Sequence, residues 1–349
     1  MDKADSGVTA PRKEKAEGLM VPARFRRMGT TADVRITPTC GPAMSENLPK
    51  IFTTQFSDVL ALKLQQRQSK LRGRCMEGFH VGKQASPIQY IGAIQMKPPA
   101  GRFAPIGRQD TDFSRRWVFP VDRDANQLID TFDKLKTAIE PTSQYSDVAA
   151  AAVAREWDDR LIASAFATAS LGVDASAFTT ETFSTTDWQI ASTFGSAAAS
   201  GLTVAKMIEA KRIFRKAQVE VDMESLTWVT NSQGESDLLN QVQVVSSDFN
   251  GDKATLTDGK VTRFMGFDIV YSERLTSASN VRQNIPFAKS GLYLGIWKDT
   301  ENDIDRRKDL SGLPWQIYTC MSSGATRLEP GRLLQVLCAD TSAAADVTP

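Results

Sequence analysis

The stretch SDVAAAAVAREWDDRLIASAFATA, Ser146 to Ala169, sets four consecutive alanines beside a Trp-Asp-Asp-Arg cluster. Read as chemistry, Asp158 and Asp159 are paired carboxylates; read as architecture, they are the polar side of a long helix. The spacing decides between the two. Val153, Trp157, Leu161 and Ala165 recur every four residues and make one apolar stripe, the period of an α-helix. Pro141 cannot sit inside a helix, and Thr142 or Ser143 just after it is a good N-cap. A helix over 143–170 would run roughly 40 Å at ~1.5 Å per residue, and Ala149 to Ala152 would let a neighbouring backbone approach closely. Adjacent helical residues point ~100° apart, so the two aspartates diverge rather than converge on one substrate. Asp159 also stands four residues from Arg155, a favourable pairing distance. The helix is structural, and Val153, Trp157, Leu161 and Ala165 are its packing residues.

Before this helix, IQYIGAIQM and RRWVFPV are rich in β-formers and flank MKPPAGRFAPIGRQDTDFS, a Pro-, Gly- and charge-rich run too long for a tight turn. Two strands with a long polar tip predict a projecting β-arm over 75–120, since such loops are uncommon inside a compact domain. From Ile51 to Leu71 a helical stripe with a basic end is expected. Residues 1–43 hold eight Lys/Arg and five Asp/Glu (8 − 5 = +3) without apolar periodicity; they read as a flexible extension, and Met44 opens a more ordinary start, MSENLPKIF. After the helix, LTVAKMIEAKRIFRKAQ is amphipathic, and NSQGESDLLNQ starts another helix. LTWVT, FDIVYSE, GLYLGIW, PWQIYTCMS and RLLQVLCA are strands. Helices and strands intermix without a strict βαβ rhythm, so the class is α+β.

The totals are those of an ordinary globular protein: 349 residues, 41% hydrophobic, 24% charged, net charge +1. A dedicated nucleic-acid binder would show a basic excess. Cys40, Cys75, Cys320 and Cys338 are scattered, and His80 is the one histidine, so a Cys/His zinc site has no local framework and free thiols in a reducing cytosol are expected. No apolar run approaches the ~20 residues of a membrane span, and the first residues form no secretory signal.

Catalytic motifs are missing. GDKATLTDGK has the wrong spacing for a phosphate loop. Asp248, Asn250 and Asp252 are spaced like the start of a calcium loop, but Lys253 and Gly259 occupy the Gly and Glu positions. His80, in GFHVG, would have to serve any triad alone, and reads as a strand or turn residue. No cofactor is implied. Two charged segments remain: Arg24, Arg26 and Arg27, a phosphate-contacting or solvated arm, and KDTENDIDRRKDL, in which Asp303, Asp305, Arg306 and Arg307 make a charge-protected edge strand or loop, or a subunit contact.

The order of segments resembles the major capsid proteins of tailed phages, with the Hong Kong 97-type fold. SRRWVFPVDRDANQLIDTFDKLKTAIEPTSQYSDVAAAAVAREWDDRLIASAF is similar to the loop-return strand and spine-helix region of one phage capsid family, where a D-K-L element, here Asp133-Lys134-Leu135, precedes Pro-Thr-Ser, here Pro141-Thr142-Ser143. FMGFDIVYSERL (264–275), AKSGLYLGIWKD and MSSGATRLEPGRLLQV resemble further landmarks, over roughly residues 44–338. The resemblance implies a flexible extension 1–43, an N-arm 44–74 and an extended loop 75–120 with its tip near Pro98 to Phe113. It implies a peripheral domain 121–200 carrying the spine helix 143–170, an axial domain 201–290, return strands 291–338 and a tail 339–349. Arg102, Phe103, Arg108, Asp110 and Asp112 at the loop tip, and Asp303, Asp305, Arg306 and Arg307, would contact neighbouring subunits; Arg24, Arg26 and Arg27 would face DNA. The implied role is non-enzymatic: hexamers and pentamers of an icosahedral head enclosing double-stranded DNA, assembled in the host cytoplasm with portal, scaffolding and decoration proteins. The alternatives are an encapsulin-like compartment shell of the same fold and a hydrolase using His80 or Asp158.

Overall fold

The computed structural model describes residues 64–98, 101–103, 105, 107–130, 142–172, 178–241, 244 and 259–340. The chain divides into two compact units, Met1–Phe56 and Ser57–Pro349, and every described residue lies in the second. Helix α1 spans Thr142–Phe166. Its stripe of Val153, Trp157, Leu161 and Ala165 is buried to 8% exposure or less. Each large apolar side chain so buried contributes about 1.5–3 kcal/mol. The helix stops at Phe166, short of 170, because Ala169–Leu171 (β5) turns into an antiparallel pairing with Phe113–Trp117 (β3).

The stripe of α1 lies on a four-stranded sheet of order β1-β13-β14-β4. Its strands are Met76–Phe79 (β1), Val121–Ile129 (β4), Leu292–Arg306 (β13) and Trp315–Arg327 (β14). β1 runs parallel to β13, and the other pairs are antiparallel. The charged run 298–306 is therefore edge strand rather than loop. Met76–Phe79 does not belong to the arm expected over 75–120, because its backbone bonds go to β13.

A second sheet has the order β7-β15-β12-β8-β10-β9. It contains Gln189–Ile190 (β7), Leu226–Thr230 (β8), Arg263–Phe264 (β9), Phe267–Tyr271 (β10), Val281–Ala288 (β12) and Gln335–Ala339 (β15), with Ser277–Ala278 (β11) paired to β12. Short helix α2 (Thr185–Trp188) precedes β7. Helix α3 (Val204–Lys216), N-capped by Thr203, buries Met207, Ala210, Ile213 and Phe214 against Trp228, Phe267 and Leu226. Helix α4 (Ser232–Leu239), capped by Asn231, links the parallel strands β8 and β10. β8 is buried at all five positions: Trp228 faces α3, whereas Val229 joins Trp157, Leu161, Ile296 and Met321 in a second core. A strand covered on both faces reads as a continuous apolar run, as LTWVT does. Gln335–Ala339 joins this sheet by pairing with β12, so it separates from the other return strands of 291–338.

A third sheet, β2-β3-β5-β6, adds Gln89–Ile91 (β2) and Thr179–Glu181 (β6). The helical stripe expected over Ile51–Leu71 fails where it can be followed: Leu64 to Leu71 is irregular. Its amides at Lys70 and Leu71 are donated to Asp158 rather than to carbonyls four residues back. Residues 51–63 lie outside the described residues, as do the extension 1–43, the rest of the 44–74 arm before Leu64, the D-K-L element and the tail beyond Asp340.

Candidate assembly surfaces

The opening pair of aspartates divides its labour. Asp158 is fully buried. It accepts from Ser69 Oγ at 2.6 Å, Lys70 N at 3.0 Å and Leu71 N at 3.1 Å, and Gln66 Nε2 also bonds to it. A carboxylate taken from water needs such a donor set to offset its desolvation. Arg155 bonds Gln65 Oε1 at 2.8 Å and Gln66 O at 3.3 Å, so it does not pair with Asp159, whose partner is Arg274. Arg72 lies 4.8 Å above the Trp157 ring and reaches Asp299 at 3.1 Å. Residues 65–72 thus form a strap clamped across α1. Sequence spacing missed it, because all of Asp158's partners lie 87 or more positions away.

The arm is built on β2 and β3, paired antiparallel with Gln89 opposite Arg115 and Ile91 opposite Phe113. Gly92 N donates to Asp112 O at 2.8 Å, the last backbone bond of the stem. Beyond it the described residues are almost all exposed: Ile94 is 64% exposed, Met96 100% and Phe103 97%. Arg102 leans over the Phe103 ring at 5.9 Å, and Arg108 pairs with Asp110 at 2.8 Å. Asp112 stands at the stem. At the arm's root, Arg116 is buried against Glu181. Arg327, fully buried, donates to the carbonyls of Ala165 and Ala167 at 3.1 Å each, closing the negative end of α1 with a cation.

The third surface is the open face of β4, β13 and β14. Cross-strand partners share a face, so the register sets Asp305 and Leu128 beside Gln316, Asp303 and Asn126 beside Tyr318, Glu301 and Asp124 beside Cys320, and Asp122 beside Ser322. Asp303, Asp305, Gln316 and Tyr318 line a shallow cleft there. Arg306 lies on the opposite face, 5.4 Å over Trp315, and Arg307 pairs with Asp309 past the strand end. The four charged residues singled out in sequence therefore split: Asp303 and Asp305 lie on one face, where Arg307 also reaches Gln316 Oε1 at 2.9 Å, and Arg306 lies on the other. Asp122 and Asp124 join the carboxylates only through the fold.

Groups suited to chemistry have structural partners. His80 Nε2 sits 2.6 Å from Tyr293 Oη, with Trp297 packed on its ring at 5.3 Å, and burial lowers its pKa. Lys206, fully buried, donates to three backbone carbonyls, of Ser200, Gly201 and Leu337. Burial pushes the thiols of Cys75 and Cys338 up to about 12. Among the described residues no cluster of His, Cys, Asp or Glu could hold a metal, and no helix is long and apolar enough to cross a membrane. Cys40, the calcium-like positions Asp248, Asn250 and Asp252, and Arg24, Arg26 and Arg27 lie outside the described residues.

Residues 48–340 match the family described as phage capsid protein. The chain belongs to the phage capsid protein family. It is a major capsid protein, and its family's role is structural, in the virion. Its fold agrees. The capsid of cyanophage P-SCSP1u superposes with a TM-score of 0.62 at 16% identity, over 84% of this chain and 94% of the other. The Mycobacterium phage Che8 protein does so at 0.60 and 16%, over 82% and 97%. The cyanophage Pam1 capsid protein does so at 0.65 and 11%, over 87% and 100%. No curated protein sequence matches the capsid protein described here.

Proposed function

We propose that this capsid protein tiles, as hexamers and pentamers, the icosahedral head of a tailed phage around double-stranded DNA. The observation that carries the reading is the arm: Met96 and Phe103 stand at 100% and 97% exposure beyond the last backbone bond of the stem. Apolar side chains presented on a projecting arm mark an interaction surface, and arms that become ordered only on docking give contacts weak enough to correct errors. In this reading 44–74 is the N-arm, α1 the spine helix, the second sheet with α3 and α4 the axial domain, and the first sheet the peripheral domain. The tip residues Arg102, Phe103, Arg108, Asp110 and Asp112 meet a neighbour, as does the Asp303–Arg307 segment, and Arg24, Arg26 and Arg27 face DNA. Assembly takes place in the host cytoplasm with scaffolding, portal and decoration proteins. The subunit has no catalytic role and no cofactor.

Electron microscopy of the purified protein, alone and expressed with its scaffold, tests this. Closed shells of uniform diameter are expected, and monomers persisting under every assembly condition would overturn it. Neighbouring genes separate it from the encapsulin-like compartment: terminase and portal genes belong to a phage, a cargo enzyme with a docking tail to a compartment.

A further inference from the structure

The strap carries charge as well as hydrogen bonds. From Lys63 to Arg74 the sequence holds five cations and no carboxylate. Arg72 is engaged by Asp299, Glu77 and the Trp157 ring. Lys70 Nζ donates to the Tyr271 carbonyl at 2.6 Å, a neutral acceptor that leaves its charge in place. Arg67 and Arg74 pair with no carboxylate among the described residues, and Arg67 and Lys70 are exposed. The backbone beneath them is already fixed, because Asp158 holds Ser69 Oγ and the amides of Lys70 and Leu71. Cations displayed on an ordered backbone meet an anion with little further loss of chain entropy. α1 and the strap lie on one side of the first sheet, and the five carboxylates of β4 and β13 line the other. A polyanion is therefore drawn to the strap and repelled by the open face.

We infer that the strap is a phosphate-contacting surface for double-stranded DNA, with Arg67, Lys70 and Arg74 set against the duplex backbone. This rests on the shell reading and names, within it, a surface that meets the enclosed nucleic acid. Each Lys or Arg placed on a phosphate releases a condensed counterion, and that release drives the contact. Phosphate contacts read no base sequence, so one strap suits any stretch of a genome. Double-stranded DNA is favoured over an acidic protein segment because its charge is continuous, one per ~1.7 Å of axis, so every copy meets phosphates whatever its position. A single copy offers few charges and binds weakly; many copies facing one duplex bind together.

The test is the salt dependence of duplex binding by the full-length subunit, measured by fluorescence anisotropy with two short duplexes of unrelated sequence. Wild-type affinity should fall linearly with salt on logarithmic axes. Arg67→Gln with Lys70→Gln and Arg74→Gln should lower that slope by about 3, near one for each charge removed, equally for both duplexes and with circular dichroism unchanged. Arg67→Lys with Arg74→Lys, which keeps the charges, should keep the slope. Arg212→Gln with Arg215→Gln and Lys216→Gln removes as many charges from α3, on the opposite face of the second sheet, and should also keep it. Equal losses in the two triple variants would reduce the effect to net charge and overturn the site, as would the absence of duplex binding by the wild type at low salt. An unchanged slope in the strap variant would overturn it too, and failed co-assembly with scaffold in that variant would then give the strap to an acidic protein segment. Shell formation by the wild type is scored separately: its failure sinks the shell reading, whereas an unchanged slope sinks only this inference.

Discussion

Asp158 and Asp159 occupy adjacent positions with opposite energetic weight. Asp158 is buried and satisfies backbone amides that have no other acceptor. Asp158→Ala leaves those amides orphaned, and a loss of about 2–4 kcal/mol is expected, read as a lower urea midpoint together with faster proteolytic cleavage within 64–74. Asp159→Ala breaks a pair whose side chains are each about one-third exposed and should cost less than about 1 kcal/mol. Equal effects of the two substitutions would refute the strap. Trp157, 2% exposed under the Arg72 guanidinium, should cost about 3–5 kcal/mol when truncated to alanine. The structural role of this stretch was legible from its period. What Asp158 holds was not, because a helix pattern carries no information about which distant amides reach it.

Among the elements, the arm and the body separate cleanly. Replacing residues 93–111 by Asn-Gly should leave a folded subunit, because the stem bonds end at Gly92 and Asp112 and the described residues beyond them are almost all exposed. Calorimetry should show an unchanged unfolding temperature while shells fail to form; an unfolded product would contradict the assignment. The opposite holds at Gly324 in β14, where a Cβ would meet Phe119 O at 2.3 Å. Gly324→Ala should cost about 1–3 kcal/mol, seen as a lowered melting temperature. Strands with apolar runs, LTWVT and FDIVY, were readable. β4, VDRDANQLI, was not, since one of its faces is open and its polar side chains conceal the ladder. β12 hides behind Pro286. In a strand a residue's N–H and C=O point the same way, and Pro286 O accepts from Leu334, so the missing N–H faces the side where the β15 ladder has already ended at Asn284.

At the level of the whole molecule, two cores share the second sheet, and each contains one buried thiol: Cys75 beside α1, Cys338 beside α3 and Lys206. Burial raises both from an ordinary value of ~8.5 to about 12, so the folded state holds these protons more tightly than the unfolded chain. Their contribution to stability is complete below the unfolded value and is lost as pH rises towards 12. Urea midpoints should therefore fall between about pH 8.5 and 12, and by less in Cys75→Ala/Cys338→Ala; an identical slope in both proteins would remove the thiols as the cause. The sequence by itself determined the α+β class, the helix around Trp157 and the two strands of the arm, because period and propensity are local properties of the chain. Only the tertiary structure decided that Asp158 holds the strap, that Gln335–Ala339 joins the second sheet, and that five carboxylates from β4 and β13 share one face. Those facts depend on side-chain bonds and strand pairings between segments that are distant in the chain, and they leave no trace in either segment read alone.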